Sequence, residues 1–78
     1  MSDKYDISND KFKQLINSFT YHSPKDDQPE RYIHLRDKAK ELASDICAMV
    51  PPGREQSLAI TKLEEAIMWA NKGIACGE

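Results

Sequence analysis

The apolar residues in the last third of the chain recur at helical spacing. Five of them step by 3, 4, 3 and 4 positions: Ile60, Leu63, Ile67, Ala70 and Ile74. Further apolar residues broaden this stripe on both sides: Leu58, Ala59, Ala66 and Trp69. The pattern predicts a helix over 54–75. This helix carries more apolar surface than one partner helix covers, so we expect the rest of the chain, and other copies of it, to bury this face.

A second periodic run predicts a helix over 29–49. Its apolar positions step by 3, 4, 3, 4 and 3, as in a coiled-coil seam: Tyr32, Leu35, Ala39, Leu42, Ile46 and Met49. Pro29 suits the first turn, with Asp27 or Gln28 as the cap. The proline pair at 51–52 ends the helix, because proline does not continue one. The connection is short, so the two long helices are expected to run antiparallel.

A shorter helix is expected over 9–19. Ser8 is a good N-cap, and four apolar residues follow at i, i+3, i+4 and i+7: Phe12, Leu15, Ile16 and Phe19. A helix this short is marginal alone, so it must dock on something. Residues 1–7 are polar and expected to be loose, and the stretch 20–29, with two prolines and two aspartates, is expected to be a loop.

These elements predict an all-α fold: a short N-terminal helix followed by a long antiparallel helical hairpin, in a single domain over 1–78. A chain of 78 residues buries only about 60% of the surface that its unfolded form exposes. Cys47 and Cys76 lie near opposite ends of the hairpin, about 25–30 Å apart, which is too far for a disulfide. Together with His22 and His34 they show no metal-ligand spacing. No metal or cofactor is therefore expected, and a homo-oligomer is.

The charge pattern limits the partners of the chain. A net charge of −2, from 11 basic and 13 acidic residues that are well mixed, argues against a protein that binds DNA or RNA polymers. A compact anionic ligand held by two or three basic groups stays open. No signal peptide opens the chain, and no apolar run approaches the ~20 residues of a membrane span. Free thiols in a reducing cytosol are the simple interpretation.

Enzyme motifs are missing from the sequence. It has no Gly-rich phosphate loop, no nucleophile elbow, and no nucleophile with a histidine and an acid at a recognisable spacing. Glu64 and Glu65 are adjacent, so on a helix they point about 100° apart and do not form a general acid/base pair. The sequence therefore predicts a protein without catalytic activity.

Several polar groups suit a nucleotide. Tyr21 and His22 follow the short helix, where an aromatic face is free to stack on a base, and Lys25 lies within reach of a phosphate. The alternative is that Tyr21 folds back as a hydrophobic anchor. Arg36 lies off the seam of its helix, and a guanidinium forks onto a phosphate through two hydrogen bonds. Its alternative is a salt bridge to a neighbour such as Asp37 or Glu41.

A third candidate group lies at the start of the last helix. Arg54, Ser57 and Thr61 share one face by their 3 and 4 spacing, next to the positive end of the helix dipole, which favours a phosphate. Ordinary capping plus a polar subunit contact explains these residues equally well. Met68 and Trp69 flank the apolar stripe and are more typical of a helix interface than of a ligand site.

The chain resembles a known family. The motifs that carry the resemblance are Phe19-Thr20-Tyr21-His22-Ser23-Pro24, Gln28, Arg31-Tyr32 with Leu35-Arg36, Pro51, the run Arg54-Glu55-Gln56-Ser57-Leu58-Ala59-Ile60-Thr61-Lys62-Leu63-Glu64-Glu65, and Met68-Trp69-Ala70-Asn71. Over about residues 12–75 the chain is similar to the phage anti-CBASS cyclic-oligonucleotide sponges. The same helical hairpin occurs in related phage sponges that act against Thoeris defence. The shortness of the chain favours the anti-CBASS branch, because the Thoeris sponges carry additional β structure.

The resemblance implies a non-enzymatic protein in the cytoplasm of the infected bacterial host, which binds the cyclic nucleotide messengers of immunity and withholds them from their effectors. It implies a homohexamer, with cyclic dinucleotide pockets between protomers and, in similar members, cyclic trinucleotide pockets on a threefold axis. By motif, Tyr21 stacks on a base and Arg36 holds phosphate in the dinucleotide site, with His22 and Lys25 beside them. The resemblance assigns the cyclic trinucleotide site to Arg54, Ser57 and Thr61.

Two departures from the family pattern bear on these assignments. Gly53 stands where many relatives have a serine, which removes a hydroxyl cap from the last helix. Gly73 and Cys76 replace a more helix-favouring, basic ending, which is expected to fray that end. The rival hypothesis is a small helical adaptor that binds another protein through Trp69 and has no nucleotide ligand. A cyclic nucleotide phosphodiesterase is opposed by the absence of a metal-ligand motif.

Overall fold

A computed structural model describes residues 5–78 of the protein, so residues 1–4 of the expected loose segment 1–7 lie outside the described part. The described chain is all-helical, with three α-helices and no strand among residues 5–78. They are α1 (Asn9–Phe19), α2 (Gln28–Met49) and α3 (Arg54–Gly77). No helix of this part is long and apolar enough to cross a membrane.

The start of α1 follows from its cap. Ser8 is extended, and its hydroxyl oxygen accepts a hydrogen bond from the backbone N–H of Lys11 at 3.2 Å. This bond satisfies one of the four N–H groups that the first turn of a helix leaves without a partner. The predicted N-cap is therefore confirmed.

The ends of α2 are set by its prolines. Pro29 lies in the first turn, where its missing N–H costs nothing, but the Asp27 carboxylate does not cap the helix. It instead lies 3.1 Å from the guanidinium of Arg31. At the other end the N–H of Val50 still donates to the Ile46 oxygen at 2.9 Å, and the two prolines that follow end the helix.

Contacts between α2 and α3 join opposite ends of the two helices. Gln56, in the first turn of α3, donates its side-chain amide to the Val50 oxygen at 2.9 Å, at the carboxyl end of α2. Gln28, at the amino end of α2, donates to the Ile74 oxygen at 3.3 Å, near the end of α3. A carbonyl group near the carboxyl end of each helix is therefore partnered by a glutamine side chain of the other.

Burial along α2 follows a straight helix rather than the predicted seam. Leu42 and Met49 were expected in the seam but are 49% and 79% exposed, while Ala43 and Val50 are half-buried instead. From Tyr32 to Val50 is five turns at 3.6 residues per turn, whereas a strict 3.5 repeat requires supercoiling. The prediction of Leu42 and Met49 as seam residues is wrong for this reason.

The α3 helix matches its predicted stripe but not its predicted end. All five stripe positions are half-buried: Ile60, Leu63, Ile67, Ala70 and Ile74. The margins predicted to need other copies stay exposed, with Trp69 at 69%. The helix runs through Gly73 to Gly77, and residues at the start of α2 bond the side chain that follows it, as described below.

The isolated chain is far from compact. Its radius of gyration is 17.6 Å, against about 11.5 Å for a compact domain of this length. Its accessible surface is 6752 Å², about 1,900 Å² more than a folded monomer of its mass exposes. No hydrophobic side chain among residues 5–78 is buried. The chain therefore exposes surplus surface of the amount that a protein partner normally covers.

Candidate functional site

Tyr21 lies in the loop between α1 and α2 and is 82% exposed. No hydrogen bond to its side chain occurs among residues 5–78. The alternative in which this ring anchors the loop to its own chain is therefore wrong, because such an anchor would bury the ring. An exposed aromatic face in a loop is available to stack on a base.

His22 is tied to the end of α1. Its Nε2 atom lies 2.8 Å from the backbone oxygen of Asn17, so the protonated ring nitrogen donates a hydrogen bond there. The side-chain amide of Asn17 in turn donates to the backbone oxygen of Cys76 at 2.9 Å. His22 therefore links the loop that displays Tyr21 to α1, and through α1 to the end of α3.

Lys25 is engaged with its own chain. Its ammonium donates to the backbone oxygen of Glu78 at 3.2 Å, and its backbone N–H donates to the side-chain oxygen of Gln28 at 3.2 Å. The next residue, Asp26, turns the chain with a φ of 51°. In the isolated chain Lys25 therefore helps to attach the loop to the end of α3. Its ammonium can bind a phosphate only after its hydrogen bond to Glu78 breaks.

A polar latch fastens the end of α3 to the start of α2. We use this name for Lys25, Gln28, Arg31 and Glu78. Both carboxylate oxygens of Glu78 accept hydrogen bonds from the Arg31 guanidinium, at 2.5 and 2.6 Å, and one accepts a further bond from the Gln28 amide at 2.9 Å. Bidentate, charge-assisted bonds of this kind are the stronger ones in proteins. The latch holds the loop of Tyr21 in place because Lys25 belongs to both.

Gln28 is the centre of the latch and, at 2% exposed, the only buried residue in the described part of the chain. Its side chain bonds Lys25, Ile74 and Glu78 at once. We expect Gln28→Ala to cost about 1–3 kcal/mol, because it leaves buried polar partners unsatisfied, and to lower the melting temperature by several degrees. Thermal unfolding followed by circular dichroism, at one protein concentration, measures this. A matched change of the exposed Gln14 to alanine should shift the melting temperature by less than about 2 °C.

The latch carries a pH signature. The hydrogen bonds from Arg31 and Gln28 lower the pKa of Glu78 from its ordinary 4.5 to about 2, and the same pairing raises the pKa of Arg31. A carboxyl whose pKa is lower in the folded state stabilises that state above its unfolded pKa and loses this effect as pH falls. Wild-type protein should therefore lose stability between pH 4.5 and 2 to a greater extent than Glu78→Gln. Unfolding titrations at each pH test this, with Asp37→Asn as a control that should keep the wild-type slope.

Arg36 lies at the rim of an apolar groove between the two long helices, which we call the α2–α3 groove. Its volume is about 320 Å³. It is lined by Arg36, Ala39, Lys40, Ala43, Ile60, Leu63, Glu64, Ile67 and Met68. Within residues 5–78 the Arg36 guanidinium makes no ion pair. Of its two candidate partners, Asp37 forms no salt bridge and Glu41 pairs with Lys38 at 3.6 Å. The salt-bridge alternative for Arg36 is therefore wrong, and its charge is available to an anion.

The dinucleotide candidates do not share the α2–α3 groove. Arg36 lines the α2–α3 groove, but Tyr21, His22 and Lys25 do not. They belong instead to the loop that precedes α2, which the latch holds at the amino end of that helix. The α2–α3 groove of one chain therefore does not contain both Tyr21 and Arg36.

The third candidate group is exposed at the start of α3. Arg54, Ser57 and Thr61 all face solvent, and Gly53 offers no side chain to cap the first turn. With φ at 159°, Gly53 adopts a conformation that residues with a side chain rarely take. The serine expected here in relatives would need a different turn. The N–H of Ser57 bonds the Gly53 oxygen at 3.1 Å, which leaves the preceding amides of the turn free for an anion.

Two features were missed by sequence reasoning. The Lys72 ammonium lies 5.8 Å from the ring centres of both Phe19 and Trp69, so it joins α1 to α3 through cation–π contacts. The spacing of three residues between Trp69 and Lys72 was the available signal. No sequence spacing indicated the latch, because its partners lie 46–53 positions apart in the sequence.

No cluster of three or more metal-ligating side chains occurs among residues 5–78.

Comparisons with known proteins give one match. The family model described as "Acb2/Tad1, hairpin domain" matches residues 13–75, which is well over half of the chain. Searches of curated proteins and of solved structures each found nothing similar. The matched range contains the nucleotide-site candidates and three of the four latch residues, and it leaves out Glu78.

Proposed function

Because the chain belongs to the Acb2/Tad1 hairpin family, which is known for anti-defence sponge roles, we propose that it is a non-enzymatic sponge for cyclic dinucleotide and cyclic trinucleotide messengers. It sequesters them in the cytoplasm of the infected bacterial host and so blocks CBASS immunity. The family match over residues 13–75 carries this proposal. The free aromatic face of Tyr21 and the unpaired charge of Arg36 support it, since base stacking and phosphate binding need these groups available.

The dinucleotide pocket lies between protomers. Tyr21 of one copy stacks on a base and Arg36 of another holds a phosphate, while His22 positions the loop. Lys25 exchanges its bond to Glu78 for the ligand. This arrangement is supported by the separation of the loop from the α2–α3 groove within one chain. A flat, doubly charged ring is suited to a cleft whose two walls come from different subunits.

The assembly we propose is a homohexamer. The surface that the single chain exposes in excess, about 1,900 Å², is more than one standard interface of about 800 Å² per partner takes. Two interfaces per protomer therefore fit the surplus, and the exposed Trp69 margin belongs to one of them. Native mass spectrometry tests this directly. A sixfold mass is expected, whereas a monomer at micromolar concentration would contradict it.

The cyclic trinucleotide site is formed by Arg54, Ser57 and Thr61 around a threefold axis. Three copies of Arg54 then face three phosphates, beside the free amides of each first turn. Arg54→Ala should weaken cyclic trinucleotide binding at least about tenfold, since it removes a charge-assisted bond per subunit. Its affinity for cyclic dinucleotides should stay within about twofold. Calorimetry with both ligand classes measures this, and equal losses for the two would refute separate sites.

The rival function is a helical adaptor that binds another protein through Met68 and Trp69, which are 67% and 69% exposed. Isothermal titration against a panel of cyclic di- and trinucleotides separates the two. A sponge gives saturable heat with at least one of them. For a cyclic dinucleotide the stoichiometry should be one ligand per pocket between protomers. An adaptor gives no heat with any member of the panel.

A further inference from the structure

The apolar stripe of α1 is uncovered in the single chain. Its four residues are between 37% and 84% exposed: Phe12, Leu15, Ile16 and Phe19. The opposite side of the helix carries Asn17, which bonds the oxygen of Cys76 at 2.9 Å. The Cys76 thiol also approaches the Asn17 oxygen at 3.7 Å. The Lys72 ammonium also lies 5.8 Å from the ring centre of Phe19, but that ring stays 84% exposed, so the stripe remains open to a partner.

The α2–α3 groove is a matching concave surface. It extends towards the end of α2 through a second hollow lined by Lys40, Ala43, Ser44, Cys47, Ala48 and Ile60. Most α2 side chains along it are small, which lets another helix approach closely. From Arg36 to Ala48 the floor is about 18 Å long, and α1 is about 16 Å long. Among the described residues, none from α1 lines either hollow.

We propose that α1 of a second copy of this chain docks its apolar stripe into the α2–α3 groove. A convex amphipathic helix in a concave apolar groove is a recurrent mode of recognition, with anchors at i, i+3, i+4 and i+7. The four stripe residues have that spacing. The surplus surface of the chain, about 1,900 Å², exceeds the roughly 800 Å² per partner of a stable interface, so a second copy has enough area to bury.

Charge sets the direction of the docked helix. The last turn of α1 contains no basic residue, so its carbonyl groups and the negative end of its dipole lack a cation. Arg36 supplies a cation at the end of the groove nearest the start of α2, while Lys40 and the Glu64 carboxylate line it further along. The carboxyl end of α1 therefore lies at Arg36, and Phe12 lies towards Cys47.

This direction also completes the ligand site, in a step that rests on the proposed function. Tyr21 follows α1 by two residues. When the carboxyl end of α1 from one copy lies at Arg36 of another, that copy's Tyr21 is brought beside the guanidinium. The docked arm then supplies the second wall of the dinucleotide pocket.

Disulfide trapping tests the docking without any nucleotide. Two variants of the chain are made in a Cys76→Ser background. The tagged variant carries Phe12→Cys and Cys47→Ala, so its one thiol is at position 12. The untagged variant keeps Cys47 as its one thiol. After co-expression and mild oxidation, a mixed disulfide should form at least about tenfold faster than in the matched pool with Gln14→Cys, which places the thiol on the polar side of α1. Equal rates for the two positions would overturn the proposal. So would exclusive trapping within one chain when both cysteines are on it.

Alkylation of the wild-type protein gives a second readout that needs no variant. Cys47 is exposed in the single chain, so protection must come from another copy. Cys47 should react at least about tenfold more slowly in the native assembly than in urea-unfolded protein, and equal rates would overturn the docking. If nucleotide titrations fail while trapping and protection succeed, the sponge function is wrong and the docking stands.

Discussion

Arg36→Glu should lower the affinity for cyclic dinucleotides by more than about 100-fold. The guanidinium makes no ion pair within the described chain, so its charge is available to the ligand. A charge-assisted bond contributes about 1.5–3 kcal/mol, and each 1.4 kcal/mol is a factor of ten in affinity. A carboxylate in its place adds repulsion of the phosphate to that loss. Isothermal titration of the assembled protein measures the effect.

Lys38→Glu is the matched control for this charge reversal. It makes the same change in net charge two positions away, on a lysine that pairs with Glu41 and does not line the α2–α3 groove. Its effect on affinity should be within about threefold, and should shrink further as salt is raised. If both variants lose affinity equally, the ligand senses the overall charge of the protein and Arg36 is not a binding residue.

Tyr21→Ala should weaken cyclic dinucleotide binding by about 5- to 150-fold. The reason is the loss of one base–aromatic stack, which contributes about 1–3 kcal/mol. Because the ring is 82% exposed and makes no hydrogen bond within residues 5–78, its removal should change the stability of the chain by less than about 0.5 kcal/mol. The oligomer's mass should not change. Titration and native mass spectrometry on the same sample measure both.

Tyr21→Phe separates stacking from hydrogen bonding. It keeps the ring face and removes the hydroxyl, so affinity should remain within about threefold of wild type. An equal loss for the alanine and phenylalanine variants would show that the hydroxyl, and not stacking, holds the ligand. Normal binding by Tyr21→Ala would remove the residue from the site, even if the protein is a sponge.

Local sequence patterns predicted the helices well because their causes are local. The cap at Ser8, the prolines that bound α2 and the stripe of α3 each depend on residues within a few turns. The seam of α2 shows what local patterns do not predict, namely which face of a helix is buried over several turns. A heptad and a 3.6-residue period differ little over two turns, so Leu42 and Ala43 are separated only by the actual twist of the helix.

The candidate site was predictable as a set of residue types and not as an arrangement. Exposure of Tyr21 and the unpaired state of Arg36 depend on which surfaces the chain leaves open. Sequence left both alternatives open. The latch depends on contacts between Gln28 and residues near the end of α3. No sequence pattern predicts contacts between residues so far apart in the chain. The latch adds bonds at the end of α3, where helix propensity favours fraying.

The most direct test of the sponge function is the fate of a bound messenger. The assembled protein is incubated with a cyclic dinucleotide at a concentration that titration shows to be saturating, freed of unbound ligand, and then denatured. Chromatography with mass detection identifies what is released. The intact cyclic dinucleotide, in stoichiometric amount after hours at 37 °C, is the predicted result. Release of linear dinucleotides or mononucleotides, or of no nucleotide at all, would contradict the proposal that this protein binds the messenger without turning it over.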